Sequence, residues 1–513
     1  MYDDIMNNFF LIFKNKFSRF CDFIERYGMI FVLTFVILAG IYLRLKLLFS
    51  NQSFGFDECA LTSNIILKNY SELFKPLDFY QVAPPVFLVA EKFSYVSLSK
   101  YFSVEIALRI FPCICSILSL IMLPIFVHKV YRNICVTSGV AFITAFTPNV
   151  VNYANEVKQY SFELLIAILL MMFFYFFDVK NFSKIKLFLA GIIISFLPLC
   201  SSSAFFIVAI GSLIVLWNIF QNKKSVFYAV VYLIPIFIGT ILYTALFYKP
   251  VHDALYGFMA NYWIDTNPSM FTFENFYLLF TVKTEFFLRE FCGIDYPHWG
   301  VFFWGNFILF LILKNKKLIV MFLGILGLTV LAGFLNIYPY EARLILFLLP
   351  IFSVLYLQSF LFIKNKYVST FVVITLFVST LFCLKTPINE YLTHETCIRD
   401  VFQKLQEINP ELKNVIGIKS CFISYGGKDV VYDLDIWQNF DKYKFKKMLS
   451  SMSNDTYYVY LPFRRMSSSY NRDIRDFLMS SDNNVKVVNF YSFDEDDKLF
   501  IAEINTSFNG KHK

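Results

Sequence analysis

The chain is short of charge: only 16% of its 513 residues are Asp, Glu, Lys or Arg, against roughly 25% in soluble domains. With 57% hydrophobic and 20% aromatic residues, that shortage excludes a single water-exposed fold, whose core could not hide so much apolar surface. Histidine is scarce too, and the five present are dispersed, so no His cluster offers a metal site. The ten cysteines are scattered, with Cys113 and Cys115 the only close pair and no CxxC spacing, and they read as unpaired packing residues. There is no credible nucleotide loop, because the glycines of "SYGGKD" lack a following helix signal and read as an ordinary turn. No cleavable signal peptide is expected: the first apolar segment is long, lacks an A-x-A-like site and follows a mixed-charge, helix-like stretch over 8–27. A net charge of +8 does not argue for nucleic acid, since the positive residues are sorted by loop. No repeat of 20 to 50 residues is evident.

What the chain does have is long apolar runs. Windows long enough to cross a hydrocarbon layer fall at 29–49, 105–127, 134–150, 161–177, 185–199, 203–220, 226–248, 299–313, 318–335, 343–362 and 367–384. The expectation is a polytopic α-helical membrane protein with about eleven spans. Counted from an inside N-terminus, the cytoplasmic loops become "HKVYR", "DVKNFSKIK", "NKK", "KNKK" and "KNK", all Lys/Arg-rich as the positive-inside rule requires. The amphipathic segment 1–28 is then cytoplasmic, and 385–513 lies outside as a small α/β domain. The location implied is a cell membrane, the bacterial inner or plasma membrane.

The outer side receives the segments 50–104 and 249–298, the loops "NYANEVKQY" and "NIYPYEAR", and the tail. Within 50–104, "ALTSNIILKNYSEL" and "PPVFLVAEKFSYVSL" have helical apolar faces and are expected to lie along the interface. Trp and Tyr in "NYWIDTNP" and "DYPHWG" suit interfacial anchoring, as does His298. In the tail, "CIRDVFQKLQEI" and "NRDIRDFLMSS" read as helices, and "NVIGIKS", "TYYVYLPF", "VKVVNFYSF" and "KLFIAEIN" as strands.

Two adjacent acids, Asp57 and Glu58, follow the first span in "SFGFDECALTSN". Alone they would read as acids favoured in a helix first turn. Three more features share their side of the membrane: Pro84 and Pro85 followed by Glu105 and Arg109 at the next span; Glu156, Lys158 and Tyr160 in "YANEVKQYSFELL"; and Glu341 and Arg343 in "YPYEARLILFLLP". Acids and cations at the ends of separate helices, on one face, suit a lipid phosphate: the chain stays in the bilayer, and cations such as Lys158 and Arg343 hold the headgroup. A nearby carboxylate could accept a proton from an attacking hydroxyl. A transporter or flippase for a lipid-linked glycan would also need outward cations, but no inverted repeat is evident and the charges avoid the midplane. An envelope-assembly scaffold is the third reading.

This ordered set, over about 29–384, resembles the GT-C superfamily of integral membrane glycosyltransferases. Within it, the set resembles the glycosyltransferase family 39-like branch of protein O-mannosyltransferases and lipid A aminoarabinose transferases. The resemblance implies a polyprenyl-phosphate sugar as donor and a lipid, glycan or protein as extracytoplasmic acceptor. It makes Asp57 the general base, with Glu58 assisting by positioning the acceptor or a divalent ion held by the pair. Lys158, Tyr160 and Arg343 fall to the donor phosphate, with Glu156, Arg109 and Glu341 supporting. No cofactor other than a divalent cation is implied. Two departures stand out: Ala83 precedes Pro84 where some relatives carry Lys, and Lys158 stands where relatives often have Arg.

Overall fold

The computed structural model describes residue 14 and residues 16–262, 288–289, 299–312, 315–335, 337–385, 398–434, 441–453, 455–462, 470–480, 485–493 and 499–506. Helices α1 (Met29–Phe49), α2 (Phe56–Leu67), α3 (Pro85–Leu98), α4 (Val104–Tyr131), α5 (Ile134–Phe146), α6 (Pro148–Asn152) and α7 (Tyr160–Phe176) build the first half. They are followed by α8 (Lys184–Cys200), α9 (Ala204–Gln221), α10 (Val226–Tyr243), α11 (Lys249–Tyr262), α12 (Trp299–Ile312), α13 (Lys316–Phe334), α14 (Leu349–Tyr356) and α15 (Lys366–Lys385).

Each of the eleven apolar windows contains helix, but among the described residues six helices are long and apolar enough to cross a membrane, or seven if one bent pair counts as a span. That pair is α5 and α6, broken by 62°. The break is local chemistry: Pro148 has no N–H to give the helix, the preceding Thr147 is extended, and its hydroxyl caps the Ile143 carbonyl at 2.8 Å. The window 343–362 is not one helix either: two 3-10 turns, Leu346–Leu348 and Gln358–Phe362, flank the short α14. Conversely the window at 226–248 runs on through α11. Apolar side chains left outside the bundle, such as Phe237 on α10 and Phe371 on α15, each 68% exposed, mark a lipid-facing surface. This is a membrane protein.

An arginine the sequence reading passed over lies inside the bundle. Arg44 of α1 is fully buried, and donates to Ser116 Oγ (2.8 Å) and to the carbonyls of Gly40 (3.0 Å), Ala145 (3.1 Å) and Thr144 (2.7 Å). The Thr144 carbonyl is one that Pro148, lacking an N–H, leaves without its helical donor.

The tail folds as α16 (Ile398–Ile408), β1 (Val415–Gly417), α17 (Lys419–Ser424), β2 (Tyr432–Asp433), α18 (Lys442–Ser451), β3 (Thr456–Leu461), α19 (Tyr470–Met479), β4 (Lys486–Ser492) and β5 (Phe500–Asn505). The sheet order is β2-β1-β3-β5-β4, parallel through β3 and antiparallel beyond it. The expected helices and strands are present; α17, β2 and α18 are additional. The "SYGGKD" glycines follow α17 and not a strand, with Gly426 at φ 104° closing the turn. The stretches of 50–104 expected along the interface form α2 and α3, which share a core with this domain. The segments "NYWIDTNP" beyond Tyr262 and "DYPHWG" before Trp299, with His298, lie outside the described residues.

Candidate active site

Helix α2 starts where Gly55 turns extended and Glu58 accepts the Gly55 N–H at 2.8 Å. Its first turn therefore carries Asp57 at the positive end of the helix dipole. Asp57 Oδ2 lies 3.1 Å from Lys158 Nζ and 3.6 Å from Arg343 Nη1. Three distant segments thus meet: the loop after α1, the loop before α7 and the turn before α14. Burial alone would push the Asp57 carboxyl up, but the Lys158 and Arg343 charges and hydrogen bonds from Lys158 and Gln81 hold it below the usual carboxylate range.

Glu58 faces other partners. Its Oε1 accepts from Arg109 Nε (3.0 Å) and Val157 N (2.9 Å), and its Oε2 from Arg109 Nη2 (2.7 Å) as well as Gly55 N. Arg109 also donates to the carbonyls of Gln52 (2.7 Å) and Ser53 (3.1 Å), and its guanidinium lies 5.3 Å from the Phe54 ring centroid. This buried pair ties α4, the entry to α2 and the loop before α7 into one block. Four donors from the protein already occupy the Glu58 carboxylate, so it fixes the backbone around Asp57.

The loop carrying Lys158 owes its position to the break at Pro148. After α6 a 3-10 turn, Tyr153–Asn155, leads to a tight turn in which Lys158 N donates to Glu156 O at 2.8 Å. Ser161 Oγ donates back to Tyr153 O at 2.7 Å, and Tyr160 packs edge-on against Tyr153. Burial, with the negative charge of Glu58 and then of Asp57, pushes the Glu156 carboxyl up to about 7 against the pull of Lys158 and Arg109. Glu341 contributes its backbone: its carbonyl accepts from Leu344 N (2.9 Å) and Ile345 N (3.1 Å), closing the turn that presents Arg343. Tyr338 Oη holds the same turn through Leu344 O at 2.8 Å.

Two contributors were not foreseen. Gln81 is 7% exposed; its Oε1 accepts from Lys158 Nζ at 2.9 Å and its Nε2 approaches Asp57 Oδ1 at 3.5 Å. The tail is the other. Arg399 donates to Glu105 Oε1 and to Asn51 O, both at 2.6 Å; Phe54 N donates to Tyr425 Oη at 2.9 Å; and Ser424 Oγ reaches Cys59 O at 3.0 Å and Thr62 Oγ1 at 2.8 Å. A neutral amide in a turn and a domain docked some 350 residues downstream leave no periodic or charge signal near the acids.

Among the described residues no cluster of three or more His, Cys, Asp or Glu side chains is placed to hold a metal. With two cations on Asp57 and Arg109 on Glu58, the pair named for a divalent ion does not fit one; the donors present suit an anion.

No protein-family model and no curated protein matches the chain. Solved structures do. ArnT from Cupriavidus metallidurans in the apo state aligns with a TM-score of 0.54 at 10% identity, covering 95% of this chain and 99% of that one. The same protein bound to undecaprenyl phosphate gives a TM-score of 0.54 at 9% identity, covering 93% and 98%. The chain has the fold of ArnT. The Archaeoglobus fulgidus oligosaccharyltransferase, in complex with Zn and sulfate, is more distant at a TM-score of 0.36 and 13% identity, covering 83% of this chain and 56% of that one. The match to ArnT runs nearly end to end, so it includes the α/β domain as well as the helices.

Proposed function

We propose that the protein is a membrane glycosyltransferase that moves a sugar from a polyprenyl-phosphate donor to an extracytoplasmic acceptor in a single inverting displacement. One observation carries this reading: a half-exposed carboxylate, Asp57, held by two cations from separate segments in a fold shared with a protein that binds undecaprenyl phosphate. Lys158 and Arg343 receive the donor phosphate. The acceptor oxygen bonds to the anomeric carbon as the bond from that carbon to the phosphate oxygen breaks. The electron pair leaves with the phosphate, whose charge the two cations offset, and the acceptor proton passes to Asp57. Asp57 begins as a weak base because it is ion-paired. An arriving phosphate competes for Lys158 and Arg343, and the carboxylate becomes more basic when the acceptor needs it.

The orientation follows from the basic loops, with the N-terminus cytoplasmic and the α/β domain outside. The test supplies polyprenyl-phosphate sugars and candidate acceptors to the purified protein in nanodiscs and follows product by mass spectrometry. Asp57→Asn should fold and lose transfer by about 100-fold or more; turnover equal to wild type would remove Asp57 from this role.

A further inference from the structure

Asp57 and Lys158 touch directly at 3.1 Å, and Gln81 flanks the pair, accepting from the ammonium (2.9 Å) and offering its amide to the other carboxylate oxygen (3.5 Å) and to Phe79 O (3.2 Å). It is delivered by a costly backbone: Phe79 and Tyr80 are consecutive left-handed residues, φ 59° and 56°, and neither is glycine. The turn is held in that form from α2. Asn64 Oδ1 accepts from Asp78 N (2.8 Å), Asn64 Nδ2 donates to Asp78 O (3.1 Å), and Lys68 pairs with the Asp78 carboxylate at 2.9 Å. Asn64 is seven residues after Asp57, two turns along the same face of the helix. A single helix therefore sets Asp57 directly and Gln81 through Asn64.

We propose that Gln81 is a positioning residue that keeps Asp57 and Lys158 separately usable, anchoring the ammonium for the donor phosphate and the carboxylate for the acceptor hydroxyl. When a phosphate draws Lys158 off Asp57, each charge keeps one neutral partner on Gln81 and neither swings away. A charged side chain at this point would instead bind one of the two permanently. This rests on the transferase reading of the site and assigns to it a residue that touches neither reacting centre.

The test is binding of a sugar-free polyprenyl phosphate to the full-length protein in nanodiscs, measured from neutral pH downward. Binding should change first near neutral pH, where Glu156 beside Lys158 and the phosphate monoester itself take up protons, and should then strengthen below the usual carboxylate range as Asp57 protonates and stops competing with the phosphate for Lys158 and Arg343. Gln81→Met keeps the size and removes both hydrogen bonds, so affinity at neutral pH should fall about tenfold. Losing the amide also raises the Asp57 pKa, so the strengthening should begin at higher pH than in wild type. A mere filler role predicts wild-type affinity and an unmoved pH profile for Gln81→Met, and that result overturns the proposal. Should Gln81→Met not fold, Gln81→Glu decides. It keeps an acceptor for Lys158 but places a second carboxylate beside Asp57, so the profile must again move to higher pH, and an unmoved one is equally fatal. A wild-type chain that takes up no lipid phosphate would overturn the site reading and this proposal together, whereas normal uptake with indifferent Gln81 variants sinks only the role of Gln81.

Discussion

At the residue scale the site is a competition among charges. Asp57 lies within reach of both Lys158 and Arg343, so on the proposed reading it occupies the place the donor phosphate would take. Asp57→Asn should therefore bind a polyprenyl phosphate at least as tightly as wild type at neutral pH while failing to transfer, a separation that calorimetry and turnover together would reveal. Glu156 offers a second titration. Its pKa is raised to about 7 from 4.5, so between those values the folded chain holds a proton that the unfolded chain has released. Stability on this account falls as pH rises through that window and is level above it. Glu156→Gln should thus raise the thermal midpoint over wild type above neutral pH, with the difference vanishing below the ordinary Glu range. The meeting of Asp57, Lys158 and Arg343 was legible in sequence because each sits at a helix end on the side opposite the basic loops. Gln81 was not, since an uncharged residue in a turn acquires its meaning only from the left-handed backbone of Phe79 and Tyr80.

At the scale of elements, hydropathy located the helices and missed how they break. An apolar window cannot show that Pro148 splits a span by 62° or that 343–362 is a short helix between 3-10 turns, because both halves stay apolar while the backbone turns. These breaks matter more to the site than the regular helices do, for they release the loops that carry Lys158 and Arg343. Irregular backbone at membrane depth needs partners inside the protein. Arg44 provides them for α5, bonding the Thr144 and Ala145 carbonyls and Ser116. Arg44→Leu leaves those acceptors buried and unpaired, at about 3 kcal/mol or more. The expected outcome is a lower thermal midpoint in detergent and weaker lipid-phosphate binding, since the loop before α7 hangs from this break. A midpoint equal to wild type would show that water or other donors take over the carbonyls.

Across the whole molecule, the two ends of the bundle have different chemistry. The basic loops gather at one end, where Lys317 Nζ donates to Phe177 O (2.9 Å), Asn218 holds Val179 N (2.7 Å) and Lys184 lies 4.8 Å from the Phe227 ring centroid. The acids and their cations occupy the helix ends away from these loops, and the α/β domain closes over α2 there. That docking was the least legible part of the sequence, because the tail shows its own strands and helices but not the face they present. The contacts make the domain part of the site's frame: Arg399 neutralises Glu105, which is 3% exposed at the start of α4, and Tyr425 and Ser424 hold the entry and first turns of α2. Arg399→Ala strands a buried carboxylate, at a cost of about 3 kcal/mol. Hydrogen exchange should then quicken over Phe54–Thr62 before it does in the membrane helices, and transfer should fall with lipid-phosphate binding less affected, because Lys158 is held from the α6–α7 loop. If exchange across α2 matches wild type while the tail alone loosens, the domain rests on the bundle without shaping the site, and its contribution to the reaction must lie in what it binds.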